Sequence, residues 1–148
     1  MLVNTFSEIL IRDLEKLKDE INLYTNEYDL WKLAEGISNT PGNLCLHIVG
    51  SLNHFIGANL GKTGYVRDRE KEFSDKNISR AQIINKIDEV IDQVKKTLSN
   101  ISDNQLTDEF PVEFLGTKRT VGFIIIQMVS HVNYHLGQIN YHRRLITI

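Results

Sequence analysis

The sequence predicts an all-α protein: a four-helix bundle with a long crossover between its second and third helices. Three observations carry that expectation. Apolar residues recur at helical spacing over long stretches, and only two prolines, Pro41 and Pro111, interrupt the chain. Strand-type alternation is confined to one short segment, residues 109–116. Four helices, one of them reached by a long polar connection, pack around a common core. At 148 residues the chain reads as one domain, 1–148.

The first helix is expected over residues 4–23. Phe6, Ile9, Leu10, Leu14, Leu17 and Ile21 share a face, with Glu8, Arg12, Asp13, Glu15, Lys16 and Lys18 on the other side. Residues 24–40 are less regular, and Trp31 reads as an anchor at the bundle end. Asn39-Thr40-Pro41-Gly42-Asn43 is a helix start, with Thr40 or Asn39 as cap and Pro41 tolerated in the first turn. That second helix should reach Leu60, with Gly61 ending it. Its face holds Leu44, His47, Ile48, Ser51, His54, Phe55 and Ala58, and Gly50 and Gly57 mark the close approach of a neighbouring helix.

Residues 61–77 form a polar loop, long for a compact domain and of the kind that carries function. Its Gly61-Lys62-Thr63 lacks the glycine spacing and preceding strand of a phosphate loop, which removes the nucleotide reading. Ser79 caps a third helix over residues 80–99, whose stripe is Ile83, Ile84, Ile87, Val90, Ile91, Val94 and Leu98. Residues 100–119 form a second connection with a short extended stretch or hairpin. Thr117 or Thr120 then caps the last helix.

Hydrophobic residues make up 41% and charged residues 24%, the balance of a soluble globular protein. Net charge is -2 with Lys and Arg spread along the chain, so no nucleic-acid partner is expected. Residues 1–10 carry Glu8 and no basic segment, and no other stretch reaches membrane length, so neither a signal peptide nor a membrane partner is expected. The single cysteine, Cys45, excludes an internal disulfide, and the expected compartment is the cytoplasm. Between Leu44 and Leu46 it reads as a small buried hydrophobe rather than a nucleophile.

The histidines carry the chemistry. All five fall on two helices: His47 and His54 on the second, His131, His135 and His142 on the last. His131 and His135 are four residues apart, so their imidazoles leave one helical face after about 400° of turn and about 6 Å of rise. With a third histidine facing them from another helix, they supply the three protein ligands of an open metal site. His47 and His54 stand about 10 Å apart along their helix, too far to serve one ion together. The same distance separates His142 from His135. Spacing does not choose between His47 and His54.

Carboxylate-bridged di-iron chemistry needs Glu three residues before histidine, and here those positions hold Leu44, Ser51, Met128, Val132 and Ile139. No His-Glu-x-x-His and no nucleophile-elbow serine occurs either. Asn43, Asn53, Asn133 and Gln138 are the polar side chains placed to hydrogen-bond behind metal ligands and orient them. Tyr65, Arg67 and Arg69 in the long loop, with His54, stand as candidates on the substrate side, where an arginine would meet a carboxylate.

The run His131-x-x-x-His135-Leu136-Gly137-Gln138, together with Gly42-Asn43-Leu44-Cys45-Leu46-His47-Ile48-Val49-Gly50, resembles the DinB-like superfamily of small bacterial four-helix proteins. The likeness spans essentially the whole chain, and residues 52–69 look like an uncharacterised branch of the superfamily. It implies a bundle with an unusual connection order and a divalent transition metal (zinc, nickel or iron) held by His47, His131 and His135. His54 falls where that family has a non-ligand. It further implies a small-molecule substrate, with thiol-dependent S-transferase-type chemistry on a low-molecular-weight thiol, and a homodimer. The alternative reading is a non-catalytic metal-binding or dimerising helical module.

Overall fold

The computed structural model describes residues 1–146. Among them the chain forms α1 (Leu2–Asn22), α2 (Pro41–Leu52), a short α3 (Arg69–Ser74), α4 (Arg80–Leu98) and α5 (Val121–Ile146). Short 3-10 helices at Glu27–Trp31 and Asp103–Thr107 punctuate the connections. Among the described residues no strand forms; residues 109–120 make two isolated antiparallel bridges, Glu109 with Thr120 and Phe114 with Thr117.

The four long helices pack in a ring in which α1 touches α4 and α5, and α2 touches the same two. The helices joined by the first connection are therefore diagonal neighbours. All twelve residues of α2 are buried, the polar Asn43, His47 and Ser51 among them. Leu10, Leu14, Leu17 and Ile21 of α1 meet Ile48 and Leu52 of α2, Ile83, Ile87, Val90 and Val94 of α4, and Ile124, Met128, Val132 and Ile139 of α5 in one core.

The helix starts follow capping chemistry. Thr40 accepts the Asn43 amide at 3.2 Å, and Ser79 forms a capping box with Gln82. Thr120, rather than Thr117, caps α5 by accepting the Phe123 amide at 3.1 Å. Trp31 donates its indole N–H to the Ile78 carbonyl at 3.1 Å and lies so close to Gly42 that a Cβ there would sit 2.7 Å from the ring.

Four expectations change. The 61–77 connection is not wholly irregular, because α3 forms inside it. The second helix departs from α geometry at Asn53–Ala58, a π-helical turn. Gly50 makes room for the Glu72 side chain rather than a helix backbone, and Gly57 sits against Gln93. Asp13 is buried, 1% exposed, instead of facing solvent: it lies three residues after Leu10 and four before Leu17, on the core side. It accepts from Arg12 Nε at 2.9 Å and Asn133 Nδ2 at 3.1 Å.

Candidate metal centre

The fold brings His47 of α2 against His131 and His135 of α5. One ring nitrogen from each lies within 4.8 Å of the other two. His131 Nε2 is 2.9 Å from His47 Nε2 and 3.1 Å from His135 Nε2. The rings meet edge to face, with centroids 4.5 to 5.3 Å apart. His54 stands outside the cluster, edge-on to Phe55 at 4.8 Å, in the π-helical turn. His142 is buried elsewhere, donating through Nε2 to the Lys32 carbonyl at 2.7 Å and accepting at Nδ1 from the Tyr24 hydroxyl at 2.8 Å.

What lies behind the rings decides which nitrogen carries the proton. His47 Nδ1 is 3.0 Å from Glu72 Oε1, and a carboxylate only accepts, so the proton sits on Nδ1. Arg67 Nη2 is also near, at 3.3 Å. Its two N–H bonds already serve Glu72 Oε1 at 2.8 Å and Ser51 Oγ at 2.9 Å. His135 Nδ1 lies 2.7 Å from Gln138 Oε1, again an acceptor. His47 and His135 therefore both aim Nε2 lone pairs at His131 Nε2. A single proton there can bridge to one of them, not both, and His131 Nδ1 is buried without a partner among the described residues. The cluster holds more converging lone pairs than protons, which is the donor set of a cation site.

The electrostatics agree. Burial, and then the neighbouring charges of His135, His47 and Arg67, push the His131 imidazolium down to about 3. Burial also lowers His135, against the Gln138 bond that raises it. Both rings are neutral at pH 7, the form that binds metal. For Glu72, burial alone would raise the carboxyl, but hydrogen bonds from Arg67 and His47 outweigh it and hold the group below its usual range.

The remaining candidates sort by geometry. Gln138 meets a histidine directly. Asn43 reaches the site at one remove, its Nδ2 donating to the carbonyls of Glu72 at 3.0 Å and Asp75 at 2.9 Å. Asn133 is a correction: two residues from each of His131 and His135, it points about 200° away and bonds Asp13 instead. Asn53 and Tyr65 line a separate cavity with Lys86, Glu89 and Gln93 of α4. Arg67 is corrected too. It lies on the Nδ1 side of His47 with its Nε and Nη2 donors on Glu72 and Ser51, where it holds the carboxylate behind that ring. Arg69 caps the Phe73 ring at 5.1 Å.

Glu72 and Phe73, whose ring packs on His47 at 4.8 Å, carry no mark in the sequence of their place at the site. In the charged run 67–72 nothing marks the one carboxylate that is buried. The available signal was on α2: Gly50 and Ser51, three and four residues after His47, leave a gap and a hydroxyl on the same face.

His135 and Gln138 also border a cleft of about 820 Å³ between the 34–39 segment and the second half of α5. Leu44, Ile37, Tyr134, Tyr141 and Leu145 line it, and Glu35 is the one Asp, Glu, Lys or Arg side chain among its described walls.

A helical bundle presenting three imidazoles from two facing helices defines the class, a candidate three-histidine metalloprotein. A profile of the DinB superfamily matches residues 13–139, and the chain belongs to that superfamily. It is also similar in structure to a DinB-like protein from Bacillus cereus, with a TM-score of 0.70 at 21% identity over 91% of this chain and 86% of that one. Comparison with curated proteins finds no match.

Proposed function

We propose that the protein is a divalent-metal-dependent enzyme in which His47, His131 and His135 hold the ion and the cleft beside His135 admits a small-molecule substrate. The observation that carries this reading is the convergence of two fixed Nε2 lone pairs on His131 Nε2. Imidazole donors suit zinc, nickel and iron alike. A divalent cation at this place supplies a Lewis acid that lowers the pKa of a thiol or water brought beside it.

The chain's own residues do the rest. Glu72 and Gln138 hold the rings of His47 and His135, and Leu44, Tyr134 and Tyr141 shield a ligand's apolar body from water. With Arg67 engaged by Glu72 and only Glu35 charged on the cleft walls, the substrate portion in the cleft is uncharged and largely apolar. The superfamily resemblance adds a low-molecular-weight thiol as the nucleophile, an S-transferase-type reaction, and a cytoplasmic homodimer.

A panel of thiols offered with electrophilic acceptors tests the activity. The expected result is turnover with at least one thiol that disappears on chelation and returns with the metal. Chelation-insensitive rates, or none above background with any pair, favour the alternative of a non-catalytic metal-binding module.

A further inference from the structure

We propose that Glu72 is the positioning residue of the metal centre: clamped by Arg67 and seated over Gly50, it fixes His47 as the Nδ1–H tautomer whose Nε2 faces His131 and His135. The inference rests on the three histidines being metal ligands.

The seat is built into one face of α2. Asn43, His47, Gly50 and Ser51 follow at intervals of four, three and one, so all four look toward α3. Asn43 holds the α3 backbone at Glu72 and Asp75. Ser51 takes one Arg67 N–H. Gly50 leaves the space that the carboxylate fills, since a Cβ there would lie 2.0 Å from Glu72 Oε2.

Glu72 is 5% exposed, and a carboxylate so buried is costly unless its lone pairs are satisfied. Three donors arrive. Arg67 Nε meets Oε2 at 2.8 Å, Arg67 Nη2 meets Oε1 at 2.8 Å, and His47 Nδ1 meets Oε1 at 3.0 Å. The arginine holds the carboxylate in a two-pronged grip that fixes the plane of Oε1. That oxygen can be reached by His47 only through a protonated Nδ1, which leaves the lone pair on Nε2.

A helix as short as α3, with six residues, does not stand in water unaided. Its attachment through Asn43 and Glu72 therefore sets the His47 ring at the same time as it orders the 61–77 connection. A purely structural ion pair would matter for that attachment alone, and the two roles separate experimentally.

The full-length protein is labelled with ¹⁵N-histidine, and the metal-free ring tautomers are read by long-range ¹H–¹⁵N correlation. Zn²⁺ affinity is measured by competition with a chelator. Wild type should show His47 protonated at Nδ1. Glu72→Ala should populate the Nε2–H form and bind Zn²⁺ about 10- to 100-fold more weakly. Glu72→Gln keeps an acceptor oxygen without the charge and should recover part of both.

Gly50→Ala displaces the carboxylate end of Glu72 without removing any ligand or charge, and should weaken Zn²⁺ binding in the same direction. It carries the test if Glu72→Ala does not fold. Zn²⁺ affinity within about twofold of wild type in Glu72→Ala and Gly50→Ala overturns the inference, whatever the tautomer, because ligand-supporting residues are worth at least tenfold. Wild type that takes up no Zn²⁺ overturns the metal centre itself, and this inference with it.

Discussion

His142 shows at the residue scale how a buried imidazole makes stability depend on pH. It is 5% exposed, with both ring nitrogens bonded, to Tyr24 and to Lys32. Burial lowers its pKa, against the Lys32 bond that raises it. The folded pKa thus lies below the unfolded value of about 6.5. Above that value both states are neutral and the contribution is complete; as pH falls below it the unfolded chain takes up a proton that the folded one resists, and stability is lost. His54, His131 and His135 are lowered in the same direction, with burial the first cause in each.

Urea unfolding of the metal-free protein at pH 8, 6.5 and 5 should therefore show stability level in the upper interval and falling in the lower. The slope of that fall should be smaller in His142→Ala. Stability that rises on acidification toward pH 5 would contradict the burial of these rings.

What the residues disclose about themselves is uneven. The buried role of Asp13 and the outward direction of Asn133 were both present in the spacing, because each sits a fixed fraction of a turn from residues whose direction is known. Residue type points the other way in both, a charge to the outside and an amide to the ligands. Glu72 is the opposite case. Its burial depends on Gly50, Ser51 and Arg67 meeting in space, and no periodicity in 67–72 reports that.

At the element scale, helices that carry their own boundary chemistry were legible. α4 runs Arg80–Leu98 between the Ser79 cap and Ser99, and its apolar stripe is the buried stripe. Ser79 accepts the Gln82 amide at 3.2 Å, and Gln82 Oε1 accepts the Ser79 amide at 3.2 Å. Ser79→Ala should cost about 0.5–2 kcal/mol of unfolding free energy in a denaturant titration. A loss below about 0.3 kcal/mol would mean that tertiary packing, and not the capping box, sets this helix start.

α3 was not legible for a physical reason. Arg69–Ser74 has no apolar stripe of its own, and its order comes from Asn43 and from the Glu72 and Phe73 contacts with His47. The π-helical turn at Asn53–Ala58 has no mark in the apolar spacing either. It interrupts the regular α spacing that linked His47 to His54, and only His47 belongs to the cluster.

At the scale of the whole molecule, the all-α class followed from periodicity and proline scarcity. The ring order, with α1 and α2 on a diagonal, did not, because helical patterning says which face is buried and not against which partner. That ring order makes the candidate site: it sets α2, the most buried helix, beside α5, so that His47 reaches the pair on the last helix from inside the bundle. No helix among the described residues is long and apolar enough to cross a membrane, and the apolar run of α5 is spent on the core and on the cleft beside His135.

The proposed function stands on three converging imidazoles holding one metal ion. Elemental analysis of protein prepared without a histidine tag, before and after reconstitution with zinc, nickel or iron, tests it most directly. Wild type and His142→Ala should each carry about one equivalent of a divalent transition metal, and His135→Ala should carry almost none, since two imidazoles alone form an incomplete site. Less than about a tenth of an equivalent in reconstituted wild type, or equal loading in His135→Ala, would contradict it.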